Sequence, residues 1–145
     1  MDAEKIKVCM ISISDSPSAL ENLKRVVSSC IDPPLILSTV FSAVSDRQKV
    51  QEALEDIDRL KPQLIFVVLS SGHFEQAEFL VNSLQEEGLK PVTLAFLEDP
   101  ISEIMIDLLK LGITDVISPP YTPENVVPRI WRILIEVEIP TLRVG

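Results

Sequence analysis

A chain of 145 residues, 46% of them hydrophobic and 24% charged, fits one globular domain with a single core and lies far from the disordered regime. Its formal net charge of -9, with 13 Lys and Arg scattered rather than grouped, argues against a nucleic-acid partner, because a phosphate backbone is bound by clustered cations that displace counterions. No apolar run approaches the roughly 20 residues of a membrane span, and the opening MDAEKIKV lacks the basic start of a secretory leader, so the expected address is the cytoplasm.

Ile6 to Ile13 (IKVCMISI) reads as a buried first strand. Ser16 with Pro17 then forms a helix start, and Leu20, Leu23, Val26 and Val27 recur at helical spacing to about Ser29. Asp32-Pro33-Pro34 ends that helix, Leu35 to Phe41 is a second strand, and Asp46 opens a helix to about Leu60 with Val50, Ala53, Leu54 and Ile57 on one face. Leu64 to Leu69 (LIFVVL) is an unbroken apolar run entered through Lys-Pro and left through Ser-Ser-Gly, which suits the central strand of a parallel sheet covered on both faces. Burying such a run is worth on the order of 10 kcal/mol gross, enough to anchor the core.

Phe74 to Glu86 reads as a third helix with Phe74, Ala77, Leu80, Val81 and Leu84 inward and Gly88 as its stop. Pro91 to Leu97 is a fourth strand. Glu98-Asp99-Pro100 opens a fourth helix that runs to Leu111, with Ile101, Ile104, Met105, Leu108 and Leu111 inward and Gly112 closing it. Thr114 to Ser118 is a short fifth strand. Thr122 and Pro123 begin the last helix, which runs to about Glu138 with Val126, Ile130, Leu134 and Val137 inward and a bend or a tightened first turn expected at Pro128. The pattern is a (βα)5 α/β fold of the flavodoxin-like type: a five-stranded parallel sheet with helices on both faces. One domain is expected over 1–145, with its core about 5–138 and the remainder a tail or the start of a linker.

In an open sheet of this kind, binding and chemistry sit at the carboxyl ends of the strands, and for the central strand these are Val68, Leu69, Ser70 and Ser71. None is acidic. The two cysteines, Cys9 and Cys30, lack a C-x-x-C spacing and read as small hydrophobes rather than a disulfide or metal pair. His73, the single histidine, follows Ser70-Ser71-Gly72 without the G-x-S-x-G elbow of a nucleophile, and reads as an exposed loop residue. The first loop holds no glycine with which to bring amides onto a phosphate.

Three stretches together resemble the receiver domain of two-component response regulators: SDSPSALENLKRVV, KPQLIFVVLSSGHF, and KPVTLAF with LGITDVISPPYTPENVVPRI. Gly112 to Asp115 (G-x-x-D) and Pro120 to Glu124 (PY-x-PE) are the most specific pieces, and the likeness covers roughly Lys5 to Glu138. That family uses an acidic pair after the first strand, an Asp ending the third, a Ser or Thr ending the fourth and a Lys before the Pro after the fifth. The carboxylates hold Mg²⁺, the third-strand Asp accepts a phosphoryl group, and the hydroxyl and ammonium answer the new charge. Carried over, these positions fall on Ser14 and Asp15, Val68, Phe96 and Pro119, so only Asp15 keeps its type; the family's switch aromatic falls on Val116. The resemblance thus implies a pseudo-receiver lacking its phosphoacceptor, with a filled, dry remnant of the pocket, no metal, no cofactor and no enzymatic activity. Pro119-Pro120 matches a Lys-Pro bond that is commonly cis in the family, and a cis bond is expected there.

At 100° per residue, Ile106 falls off the inward stripe of the fourth helix and Leu109 at its edge, while Trp131 and Ile135 widen the apolar arc of the last helix beyond what a sheet covers. In the receiver family the fourth helix, fifth strand and fifth helix form the surface used for dimers and output. Ile106, Leu109, Trp131 and Ile135 are therefore expected on a docking face for a protein partner or a second copy, giving a phosphorylation-independent interaction module in a two-component-type pathway. A second reading is a small-ligand sensor of the same architecture, which a hollow polar pocket near Asp15, Ser70 and Ser118 would favour.

Overall fold

The computed structural model describes residues 5–13, 17–41, 46–89 and 91–136. Strands and helices alternate along it: β1 (Ile6–Ser12), α1 (Pro17–Ser29), β2 (Leu35–Phe41), α2 (Arg47–Leu60), β3 (Leu64–Leu69), α3 (Phe74–Glu86), β4 (Val92–Leu97), α4 (Ser102–Lys110), β5 (Asp115–Ile117) and α5 (Pro123–Glu136). A 3-10 turn over Ser71–His73 leads into α3. The strands form one parallel sheet in the order β2-β1-β3-β4-β5, the (βα)5 flavodoxin-like architecture that the pattern of apolar runs predicts.

Every side chain of β3 is fully buried, because its two faces meet different helix layers. Phe66 and Val68 join Val8, Met10, Leu94 and Phe96 beneath α1 and α5. Ile65, Val67 and Leu69 join Cys9, Ile11 and Ala95 beneath α2, α3 and α4. The period of two along each strand thus feeds two cores at once. Both cysteines are free; burial lifts the Cys9 thiol to about 12 and also raises that of Cys30.

Local chemistry sets the helix ends. Asp46 accepts the Lys49 backbone N–H at 2.8 Å from an extended N-cap conformation and starts α2, and Lys61, at φ 49°, ends it with its N–H on Ile57 O. Gly88, at φ 72°, closes α3: its N–H reaches Gln85 O and that of Leu89 reaches Leu84 O, a left-handed stop that favours glycine. The α4 helix starts later than its sequence pattern suggests. Ile101 takes the N-cap position with extended backbone and is exposed rather than inward, since a residue before the first turn does not follow the helical stripe. Ile133, which the sequence reading left out, is buried with Val126, Ile130 and Leu134 on α5, and the helix runs through Pro128. The Ser16 cap and Val137 lie outside the described residues.

One irregularity marks the sheet edge. Val8 pairs with Leu37 and Cys9 with Thr39, so Ser38 is an extra residue in β2, and its hydroxyl donates to Val8 O at 3.1 Å.

Replacing Asp46 with Ala removes the α2 cap and is expected to lower stability by about 1 kcal/mol, read as a fall in urea midpoint at unchanged slope.

Candidate functional site

The carboxyl ends of β1, β3, β4 and β5 meet at one rim of the sheet. Val68 pairs with Ser12 on one side and Phe96 on the other, and it is fully buried. Phe96 is fully buried too, with its ring 4.9 Å from Phe66 and 5.5 Å from Tyr121, the latter edge-on. The positions matched to the acceptor and to the hydroxyl are therefore packed, apolar and adjacent. Pro119, matched to the lysine, is exposed, and the Pro119-Pro120 peptide bond is cis, as is Asp32-Pro33. Val116 is buried in the second core. Ser14 and Asp15 lie outside the described residues.

Around this apolar floor the loops are tied by hydrogen bonds. Ser71 gives both its backbone N–H (2.6 Å) and its hydroxyl (2.5 Å) to Asp99, joining the loop after β3 to the loop after β4. Ser71's hydroxyl is the chief reason that the Asp99 carboxyl lies below its ordinary range. Ser70 Oγ lies 2.8 Å from His73 Nδ1, so His73 is half-buried and paired where the sequence suggested an exposed loop residue. The Asn125 side-chain amide donates to Ser118 O (2.9 Å) and Pro120 O (2.7 Å), which fixes the turn from β5 into α5. Tyr121 is buried, and among the described residues its hydroxyl has no hydrogen-bond partner. Burial first, and then the negative charges of Glu98 and Asp99, push that hydroxyl's pKa upward.

What this rim can do follows from those commitments. Ser70 and His73 form a hydroxyl-imidazole pair, but Asp99 is engaged by Ser71 rather than by the imidazole, so among the described residues no relay of base and orienting carboxylate is assembled. Among the described residues no group of three or more His, Cys, Asp or Glu is placed to hold a metal ion, and no helix is long and apolar enough to cross a membrane.

No protein-family model matches the chain, and no curated protein does. Solved structures do match. The signal receiver domain of a LuxO repressor protein from Vibrio parahaemolyticus superposes with a TM-score of 0.68 at 18% identity, over 98% of this chain and 99% of that one. This chain has the receiver fold. The receiver domain of the response regulator NarL from Mycobacterium tuberculosis gives 0.66 at 15% identity, over 90% and 96% of the two chains. An atypical orphan response regulator, described as having a phosphorylation-independent regulatory mechanism, gives 0.65 at 18% identity over 90% and 96%.

The four apolar residues expected on one docking face of this receiver fold divide between two places. Ile106 and Leu109 of α4 are exposed at 52% and 47%. On α5, Arg129 reaches Asp115 (3.3 Å) and Val116 O (3.0 Å) and Arg132 also pairs with Asp115, so cations rather than aromatics face the β5 edge. Trp131, two positions on, turns the other way. It is half-buried, and its indole N–H donates to Asp32 O in the turn after α1 at 3.1 Å. The helical periodicity that placed Trp131 beyond the inward stripe carries no information about the neighbouring turn, which Trp131 meets. Ile135, one turn on, is 67% exposed, and Ile31, beside Asp32, is 86% exposed and was missed, because a single apolar residue in a turn carries no periodic signal.

For the rim, a depressed Asp99 contributes stability that is complete above its unfolded value near pH 4 and is lost as pH falls through its lower folded value. Asp99→Asn is therefore expected to remove part of the acid-limb slope of the urea midpoint below about pH 4 while leaving the slope near neutrality unchanged.

Proposed function

We propose that this protein is an atypical response-regulator receiver domain that acts as a phosphorylation-independent protein interaction module in a two-component-type pathway. One observation carries the reading: the acceptor position is Val68, fully buried in register between Ser12 and Phe96. An aliphatic side chain cannot take up a phosphoryl group. A carboxylate in its place would face Phe96 and the core under α1 and α5, where an unpaired charge costs several kcal/mol. The fold of an orphan regulator described as phosphorylation-independent supports the same assignment.

With the chemical input removed, signalling passes by contact. The surface proposed for it is α4, β5 and α5, with Ile106 and Leu109 as its apolar centre on α4 and the ion pairs of Arg129 and Arg132 with Asp115 joining α5 to β5. Ile135 lies further along α5, and Trp131 belongs to the α1 side. The occupant is a protein partner or a second copy, in a cytoplasmic setting and without nucleic acid, membrane, metal or cofactor.

Beryllofluoride with Mg²⁺, a mimic of the phosphorylated state, is expected to leave the amide spectrum unchanged; saturable shifts around Val68 and Phe96 would sink the reading. Ile106→Asp or Leu109→Asp is expected to weaken self-association or partner capture by tenfold or more, since one such apolar centre contributes about 2 kcal/mol. Sedimentation of the wild type and both variants checks it, with retention of the wild-type affinity as the adverse result.

A further inference from the structure

On the side of α5 turned away from β5, an open groove of about 390 Å³ runs between that helix and the end of α1. Val26, Cys30 and Ile31 form one wall, Val127 and Pro128 the other. Asp32 and Glu124 also line it. They are the only charged side chains that do so among the described residues, and neither takes part in an ion pair there. Ile31 is the most exposed of the large hydrophobic residues described, and it stands in the turn that leads into the amino end of β2, so the groove reaches the edge of the molecule opposite the Val68 rim. Trp131, three positions beyond Pro128 on the same helix, donates to Asp32 O and so ties the two walls together.

We infer that this groove docks an amphipathic helix of another protein, one that carries Lys or Arg on both flanks of its apolar stripe. The shape of the site asks for a helix. Two neighbouring helices leave a valley with apolar side chains on both walls, and a third helix fills such a valley with side chains at i, i+3 and i+4. The charges of the site ask for the flanks. A purely apolar occupant would cover Asp32 and Glu124 without giving them a counter-charge, whereas cations beside the stripe pair with both. The same charges argue against a second copy of this chain. A two-fold contact lays a patch on itself, so the carboxylates of both copies would meet with no lining cation between them, in chains of net charge -9 each. This surface is separate from the α4 face, and neither that face nor the buried Val68 enters the test.

Trp131, the single tryptophan, reports on the groove. The probes are a synthetic helix of Leu and Lys, with Lys on both sides of a Leu stripe, and its counterpart with Glu in place of Lys. The full chain is titrated with each and followed by Trp131 emission and by amide shifts. The Lys peptide is expected to saturate, with shifts at Val26, Ile31 and Val127, and to bind about tenfold more tightly than the Glu peptide, a ratio that two exposed ion pairs supply. Two variants separate docking from the general attraction of a cationic peptide to an acidic protein. Ile31→Asp adds negative charge, so general attraction would strengthen binding, whereas docking loses an apolar anchor and weakens about tenfold. Glu124→Lys is expected to turn the preference toward the Glu peptide. Ile31 and Glu124 are both exposed, and unchanged far-UV circular dichroism certifies the fold of each variant. An absent or unsaturable response at Trp131, shifts centred on other surfaces, or tighter binding by Ile31→Asp would overturn the inference.

Discussion

The contact between Val68 and Phe96 governs the rest of the molecule. These two side chains lie side by side in register at the carboxyl end of the sheet, and both are fully buried. Tyr121 then packs edge-on against Phe96, and its hydroxyl finds no partner among the described residues. An unsatisfied buried hydroxyl costs roughly 1–3 kcal/mol. The aromatic ring gives back a comparable amount through burial and through its contact with Phe96. The floor of the rim is therefore apolar by packing, and any charge introduced there has to displace an aromatic cluster.

Above that floor, polar contacts set positions more than they set stability. The Ser71 to Asp99 pair links two loops, Asn125 holds the turn into α5, and Arg129 spans from α5 to the β5 backbone. Asp99 is exposed and Ser71, Asn125 and Arg129 are half-buried, and pairs open to solvent contribute about 0–1 kcal/mol each. Their effect is geometric. They hold loops from neighbouring strands in one arrangement over an apolar core.

The strand and helix order could be read from the chain because each signal was local. The bounds of β3 follow from an apolar run with Lys-Pro before it and Ser-Ser-Gly after it, and α2 from Asp46 and a stripe of Val50, Ala53, Leu54 and Ile57. The buried status of Val68 and Phe96 was equally legible, since a central strand leaves no solvent face. What escaped depends on residues far apart in sequence. Asp99 meets Ser71 across 28 positions and Trp131 meets Asp32 across 99, and neither pairing has a periodic trace. The start of α4 escaped for a local reason: Ile101 fits the helical stripe by spacing, but it sits at the cap, where helical geometry has not yet begun.

The extra residue at Ser38 reaches beyond its own hydrogen bond. It puts the amides and carbonyls of β2 out of step halfway along the strand, so that the outer margin of the sheet offers no continuous ladder for an incoming strand to match. A margin of this kind resists growth of one sheet into another molecule's sheet, although LILSTVF is otherwise an adhesive stretch. Helix surfaces, where side chains rather than backbone would choose a neighbour, carry no such mismatch.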